Sequence, residues 1–298
     1  MPNALLNHRS RNASRILRSW CLIPGILFAV ARLAYSSVHP VVENPQALVR
    51  QVVENEIDAR SQDTSYWRYI LQAQEADESR TEIVVETQHG TLKHLLSQNG
   101  LPASPRQIRQ EDQRIWDLVH NPHELEKQAS EQEWDWQKAQ RLLKLLPDGF
   151  LYTCESEEGQ TIRLSFRPNP NFDPPTFEAK IFHVFQGIML VDSGQKRLVE
   201  MRGWLSCDLE FGWGIFGKLR KGGTLELRQE QVEPRHWEMT FLSIHITGRA
   251  WFFKTIGKQR QESRRAFQRV PERTTLEEAT EMVKRCAQEL MHVKPPSS

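Results

Sequence analysis

From residue 150 to about residue 268 the chain alternates apolar and polar side chains with a period of two. Ile162, Leu164 and Phe166 alternate with Thr161, Arg163, Ser165 and Arg167. Val199, Met201, Leu205, Cys207, Leu209 and Phe211 fall on one side of an extended chain, with Glu200, Arg202, Trp204, Ser206, Asp208 and Glu210 on the other. Leu225 and Leu227 alternate with Glu226 and Arg228. Successive side chains of a strand point to opposite faces, so this pattern gives each strand one apolar and one wet face. That is the signature of an antiparallel sheet. Further strands are expected over Phe177–Phe185, Gly187–Asp192, His236–Thr247 and Lys258–Gln268, with hairpin turns at Asp192-Ser193-Gly194 and Glu233-Pro234-Arg235. The stiff segment from Arg167 to Pro175, with its four prolines, reads as a connector.

The rest of the chain must cover that sheet. Asn44-Pro45 opens a helix whose apolar face is Leu48, Val49, Val52, Val53 and Ile57. A meander follows at Tyr66–Gln74, Thr81–Thr87 and Thr91–Ser97, with turn signals at His89-Gly90 and Asn99-Gly100. Residues 104–146 read as a helical hairpin broken at Asn121-Pro122 and ended by Pro147-Asp148-Gly149. Ile108, Ile115, Leu118 and Val119 mark its first helix. Leu125, Ala129, Gln132, Trp136, Ala139, Leu143 and Leu146 recur along the second at spacings of four and three. The hairpin either packs on the sheet or offers a coiled-coil surface to a partner. A last helix, Thr275–Leu290, carries Leu276, Ala279, Val283, Cys286 and Leu290 on one side. The fold class is therefore α+β. There are more sheet faces than helices to cover them, which favours a curved, half-open barrel with an apolar concave side and an inserted helical hairpin.

The N-terminus is of another kind. Residues 1–36 hold Arg9, Arg11, Arg15, Arg18 and Arg32 and no acid, and the apolar run Trp20–Ala31 is shorter than the ~20 residues a bilayer span takes. Ala29-Val30-Ala31 and Ala34-Tyr35-Ser36 are small-x-small sites. This is the pattern of a cleaved secretory signal, with a retained inner-membrane anchor or a cytosolic start as the alternatives. Loss of residues 1–36 would turn the formal charge of the 298-residue chain from +1 to −4, so nucleic acid is not an expected partner. The chain then divides into signal 1–36, one domain 37–292 and a tail 293–298. Cys21 precedes the apolar run instead of ending it, which argues against lipidation. Cys154, Cys207 and Cys286 read as free thiols, Cys207 on an apolar strand face and Cys286 on an apolar helix face; the alternative is a Cys154–Cys207 bridge. No CxxC pair is present.

Few motifs carry chemistry. Gly212 to Gly217 spells GxGxxG but runs into Lys218-Leu219-Arg220-Lys221 and a further strand, with no helix N-terminus to receive a pyrophosphate. It is a hairpin connection, or a membrane- or partner-binding tip of Trp213, Ile215 and Phe216 collared by Lys218, Arg220 and Lys221. His120-Asn121-Pro122-His123-Glu124 resembles a metal motif only until Pro122 is placed between its histidines. His183, His236 and His245 sit on separate segments. Arg163, Arg167, Arg249, Lys254, Lys258, Arg260, Arg264 and Arg265 form either a solvated sheet face or a basic patch for anionic head groups. No cofactor, no metal site and no linear catalytic motif is expected.

Residues 177–269 resemble a group of uncharacterised bacterial exported proteins. The resemblance is carried by Gly187-Ile188-Met189-Leu190-Val191-Asp192, Lys196-Arg197-Leu198, Gly217-Lys218-Leu219, Lys221-Gly222-Gly223 and His236-Trp237-Glu238-Met239, with Arg167–Phe172 and Arg109–Asp112 upstream. The strand pattern is similar in turn to the LolA-like and RseB-like lipoprotein-carrier superfamily. That similarity implies a half-barrel holding acyl chains on its concave face. The expectation is an exported, periplasmic, non-enzymatic protein that binds a lipid or lipoprotein acyl chain. Its lining would be Ile162, Leu164, Phe166, Val199, Met201, Leu205, Leu209, Leu225 and Leu227. The alternatives are an envelope scaffold using the helical hairpin and the Trp213–Lys221 loop, and an enzyme whose site leaves no linear motif. The sequence sets no oligomeric state.

Overall fold

The computed structural model describes residues 42–211, 217–250 and 259–292. The signal-like segment 1–36, the tip residues Trp213, Ile215 and Phe216, Lys254, Lys258 and the tail 293–298 lie outside the described residues. In chain order the elements are α1 (Pro45–Gln62), β1 (Tyr66–Glu75), β2 (Glu78–Thr87), β3 (Gly90–Gln98), β4 (Leu101–Pro102), α2 (Pro105–Val119), α3 (Pro122–Gly149), β5 (Phe150–Glu158) and β6 (Thr161–Pro168). A 3-10 turn, Glu178–His183, leads into β7 (Phe185–Asp192), β8 (Leu198–Leu205), β9 (Leu209–Phe211), β10 (Gly217–Leu219), β11 (Thr224–Glu233), β12 (His236–His245), β13 (Gly248–Ala250), β14 (Arg260–Val270) and α4 (Leu276–His292).

Eleven strands form one antiparallel sheet in the order β4-β3-β2-β1-β14-β12-β11-β8-β7-β6-β5, and β9, β10 and β13 form a second, small sheet. The main sheet does not close, because β4 and β5 are its two edges. The expected α+β class with an open antiparallel sheet and helical covers is the observed one. Asn99-Gly100 makes the β3–β4 turn with both residues at positive φ, as a two-residue hairpin requires.

Directly paired strand residues share a face, so the register defines the two faces of the sheet. Met201 pairs with Leu227, Leu227 with Leu242, Leu242 with Glu262 and Glu262 with Ala73. We call this the inner face. Over β5–β8 it is covered by α1: Leu48, Val49, Val52 and Val53 join Ile162, Leu164, Phe166, Met189, Val191, Met201 and Leu205 in one core. Over β1–β3 the helices lie on the opposite, outer face. There Ile70, Ile83, Val85, Leu92 and Leu96 pack with Ile115 and Leu118 of α2 and with Ala279, Val283, Cys286 and Ala287 of α4. The helices thus cover opposite faces at the two ends of one sheet. α3, 28 residues and ~42 Å long, runs from Leu125 at β3 to Leu146 beside α1 and β5.

Several sequence expectations are corrected. α3 does not end at Pro147 but continues to Gly149, because its last carbonyls are capped from elsewhere. Tyr152 Oη donates to Leu146 O (3.0 Å), Gln46 Nε2 donates to Pro147 O, and Asn169 Nδ2 donates to Asp148 O (2.8 Å). The heptad-like seam of α3 is buried only at its ends, at Leu125 and Leu146; Ala129, Gln132 and Ala139 are exposed. The strand expected over Phe177–Phe185 is a 3-10 turn as far as His183, since Ala179 and Phe182, three apart, both turn into the core. The expected continuous strand Val199–Phe211 is two strands in two sheets. β8 stops at Leu205, Ser206 N–H donates to Val184 O (2.7 Å), and Cys207 is exposed in the bend. Leu290 is exposed, and Ala287 takes the buried position on α4. Cys154, Cys207 and Cys286 are free thiols.

Candidate functional site

The nine residues expected to line a concave ligand face divide into two groups. Ile162, Leu164, Phe166, Met201 and Leu205 are buried beneath α1, at 9% exposure or less. Space beneath them is set by a cross-strand pair of glycines, Gly187 and Gly203, over which the Phe185 ring lies, so no side chain fits at Gly203. Leu209, Leu225 and Leu227 join the same core from its margin and remain half-buried, with Ile244 beside them. Val199 is half-buried too. It is the extra residue of a bulge, because Glu200 pairs with Leu190 and Leu198 with Val191. The apolar inner face therefore extends past the helix that covers it.

α1 is fastened to this face by polar contacts. Arg197 and Glu56 form a bidentate ion pair (2.9 and 3.0 Å) with both side chains nearly buried. Glu56 also accepts the Leu198 backbone N–H (2.8 Å) and the Gln229 amide (3.3 Å). Asn55 Nδ2 donates to the carbonyls of Gln195 and Lys196 (3.1 and 3.2 Å). At the other end Arg50 pairs with Asp148 on α3 (2.9 Å). The clasp joins α1 to the β7–β8 turn, while α1's apolar side rests on the strands.

Of the three cations of the expected collar, only Lys218 is ion-paired among the described residues. Lys218 is held by Asp208 (3.0 Å) and Glu210 (2.9 Å), and the Lys221 backbone N–H donates to Asp208 (2.8 Å). These two partners push the Lys218 ammonium pKa up. Arg220 and Lys221 are exposed. The described members of the eight-residue basic patch do not form one surface. Arg163 and Arg167 on β6 stand five strands, ~24 Å, from Arg260, Arg264 and Arg265 on β14. Arg163 pairs with Glu155 (2.8 Å), and Arg260 and Arg264 both pair with Glu262.

Across β12, the inner face changes character. Over β1, β2 and β14 it carries Trp67, Tyr69, Leu71 and Val84 in a small cluster with Phe267 and Val232. Set among them are Glu86, Glu238 and Arg264. Glu86 accepts the Trp67 backbone N–H (3.2 Å). Burial raises its carboxyl pKa in spite of that bond and of the nearby Arg264. Burial, together with Glu86 and Asp63, lifts Glu238 to about 7. Burial and the adjacent Glu86 also raise Tyr69. Neither carboxyl was legible as a site: Glu86 ends the run Ile83-Val84-Val85, and Glu238 reads as one polar position on an alternating strand. The histidines do not converge on this cluster as a group. His183 is in the 3-10 turn, and His236 and His245 are at opposite ends of β12. Among the described residues no set of His, Cys, Asp and Glu is arranged to hold a metal ion, and no helix is long and apolar enough to cross a membrane.

No family model and no curated protein matches the chain. One solved structure aligns with it, a domain assigned to outer membrane lipoprotein sorting from Vibrio parahaemolyticus. The identity is 10%, the TM-score is 0.31, and the alignment covers 79% of this chain and 99% of that one. The fold described above rests on the sheet and its register, not on this likeness.

Proposed function

We propose that this chain is a non-enzymatic binding protein of an extracytoplasmic compartment, and that it holds an acyl chain of a lipid or lipoprotein against the inner face of its sheet. The supporting observation is that the apolar inner face outruns its cover: Leu225, Leu227 and Ile244 are continuous with the core under α1 yet remain half-buried. An acyl chain laid along that margin would remove apolar surface from water on both partners, at about 25 cal/mol per Å². The polar clasp of Glu56 and Arg197 holds α1 beside this margin without filling it. The test is titration with a fluorescent fatty acid. Saturable binding that Leu227→Arg weakens about tenfold or more supports the reading. Absence of saturable binding, or binding that Leu227→Arg leaves unchanged, overturns it.

A second reading is favoured by exposed tryptophans on the helical pair. Trp116 on α2 is 54% exposed and Trp134 on α3 is 56% exposed. Such side chains suit a protein partner docking along the helices. Chemical cross-linking in the native envelope that captures a partner, and loses it in a Trp116→Ala, Trp134→Ala variant, would favour the scaffold role.

A further inference from the structure

The main sheet has an opening within it. β12 and β14 pair only from Phe241↔Ser263 to Ile244↔Arg260. Beyond that point, residues 236–240 of β12 keep β11 as partner and residues 264–270 of β14 keep β1, and no register joins the two strands. Irregularities frame the opening on both sides. The β11–β12 register slips at Thr240 and again at Val232. On β14, Ala266 adopts φ +59° where the β1 register slips between Arg68 and Ile70. The far end is bridged by side chains, Arg269 reaching His236 (3.0 Å) and Glu233 (3.5 Å).

A cleft of about 460 Å³ lies at this opening. Its polar lining is Arg228, Arg264, Arg265, Thr240, Ser263, Gln231 and Glu230, three guanidinium groups against one carboxylate. Glu230 is already engaged by the Thr240 hydroxyl (3.2 Å). Arg228 and Arg264 each hold a carboxylate partner through a terminal nitrogen, Glu226 and Glu262 respectively. The inner nitrogen of each is left over. Arg228 Nε and Arg264 Nε are both buried and make no hydrogen bond; the Glu200 oxygen facing Arg228 Nε is 3.9 Å away. Buried donors without acceptors are rare and costly. Arg265 is exposed and makes no ion pair among the described residues. The cleft therefore offers two unsatisfied N–H groups, a free guanidinium and the Ser263 hydroxyl, and no group of its lining accepts from either N–H.

We propose that this cleft is a binding site for a phosphate group, whose oxygens would accept from Arg228, Arg264 and Arg265. Guanidinium forks match a phosphate bidentately, and the opening in the sheet brings arginines of β11 and β14 within one cavity. The proposal is independent of the acyl-binding reading, since the residues involved are on β11, β12 and β14 and not under α1. The phosphate comes either from a soluble phosphate ester or from a lipid head group.

The experiment uses the full chain and three probes: inorganic phosphate, glycerol 3-phosphate, and phosphatidylcholine vesicles with and without phosphatidylglycerol. Binding is measured by calorimetry for the soluble probes and by co-sedimentation for the vesicles. The variants are Arg265→Gln, which touches no ion pair, and Arg163→Gln on β6 as a charge-matched control; their thermal melts without ligand report whether each folds as the parent does. The expected result is saturable binding of at least one probe, weakened about tenfold by Arg265→Gln and unchanged by Arg163→Gln. Binding of the soluble esters assigns a soluble source, and binding of the phosphatidylglycerol vesicles alone assigns a head group. Absence of binding to every probe overturns the proposal. So does binding that both variants weaken equally, or that Arg265→Gln leaves unchanged.

Discussion

The β5–β8 end of the sheet and the β1–β3 end use the same strand register and solve different burial problems. At the β5–β8 end a helix lies on the inner face and none of the described helices on the outer, so inner residues are buried and outer ones are not, and period-two alternation is clean: β6 and β7 both alternate buried and half-buried residues almost without exception. At the β1–β3 end α2 and α4 lie on the outer face, and the inner face is also largely buried. Ile70 faces one way and Tyr69 and Leu71 the other, and all three are buried. A strand buried on both faces loses its alternation. The polar groups trapped on that second inner face, Glu86, Glu238 and Arg264, then have their protonation shaped by burial and by one another. The contrast teaches that one end of the inner face is built to exclude water and the other to hold charge.

The comparison can be broken first at its apolar end. Phe150 is fully buried and packed edge-on against Phe166 and Tyr152 and tilted against Phe182. Phe150→Ala is expected to cost about 3–5 kcal/mol in denaturant unfolding, the largest effect here. Next is the clasp. Arg197→Met leaves Glu56 nearly buried without its partner and is expected to cost roughly 3 kcal/mol, whereas the double variant Glu56→Met, Arg197→Met should recover much of that loss. A double-mutant cycle that shows no coupling would contradict the clasp.

The charged end responds to pH. Glu238 has a folded pKa of about 7, above its usual range, with burial, Glu86 and Asp63 raising it and Arg264 and Arg60 lowering it. Its charge is therefore resisted in the folded state. The stability associated with its protonated form is full below the unfolded pKa and is lost as pH rises from about 4.5 to about 7. Glu238→Gln should remove that slope and raise stability at pH 8 by roughly 1–2 kcal/mol, read from unfolding midpoints across pH. The smallest effect is expected on the outer face at the β1–β3 end. Ser104 caps α2 in a capping box with Gln107, and Ser104→Ala should cost about 1 kcal/mol without altering ligand binding.

The same contrast explains what the sequence disclosed. Strands β6–β8 and β11 were legible because one wet face imposes alternation, and α1 because Asn44-Pro45 and the Leu48–Val53 stripe follow capping and helical spacing. The boundary between β8 and β9 was not legible: Cys207 and Leu209 keep the alternating parity of a strand that has already turned away at Ser206. The continuation of α3 past Pro147 to Gly149 depends on Gln46, Tyr152 and Asn169, which reach its end only in three dimensions. The candidate lining was identified as an apolar face. Which of its members α1 would bury and which it would leave half-covered is a matter of where that helix lies, and no local pattern encodes it. The cleft at Arg228, Arg264 and Arg265 arises from a gap in strand pairing; the sequence placed Arg264 and Arg265 in a basic patch with residues five strands away and Arg228 on an ordinary wet face.

The central claim is that the inner face beside α1 holds an acyl chain. Mass spectrometry of the protein purified from its native source, under conditions that keep non-covalent complexes intact, tests it most directly and reports the mature N-terminus as well. The account predicts an acyl-bearing lipid or lipoprotein bound at about one per chain and lost from a Leu225→Arg, Leu227→Arg variant that still folds. Protein that emerges free of any acyl species, or a variant that retains the same species at the same level, would contradict it.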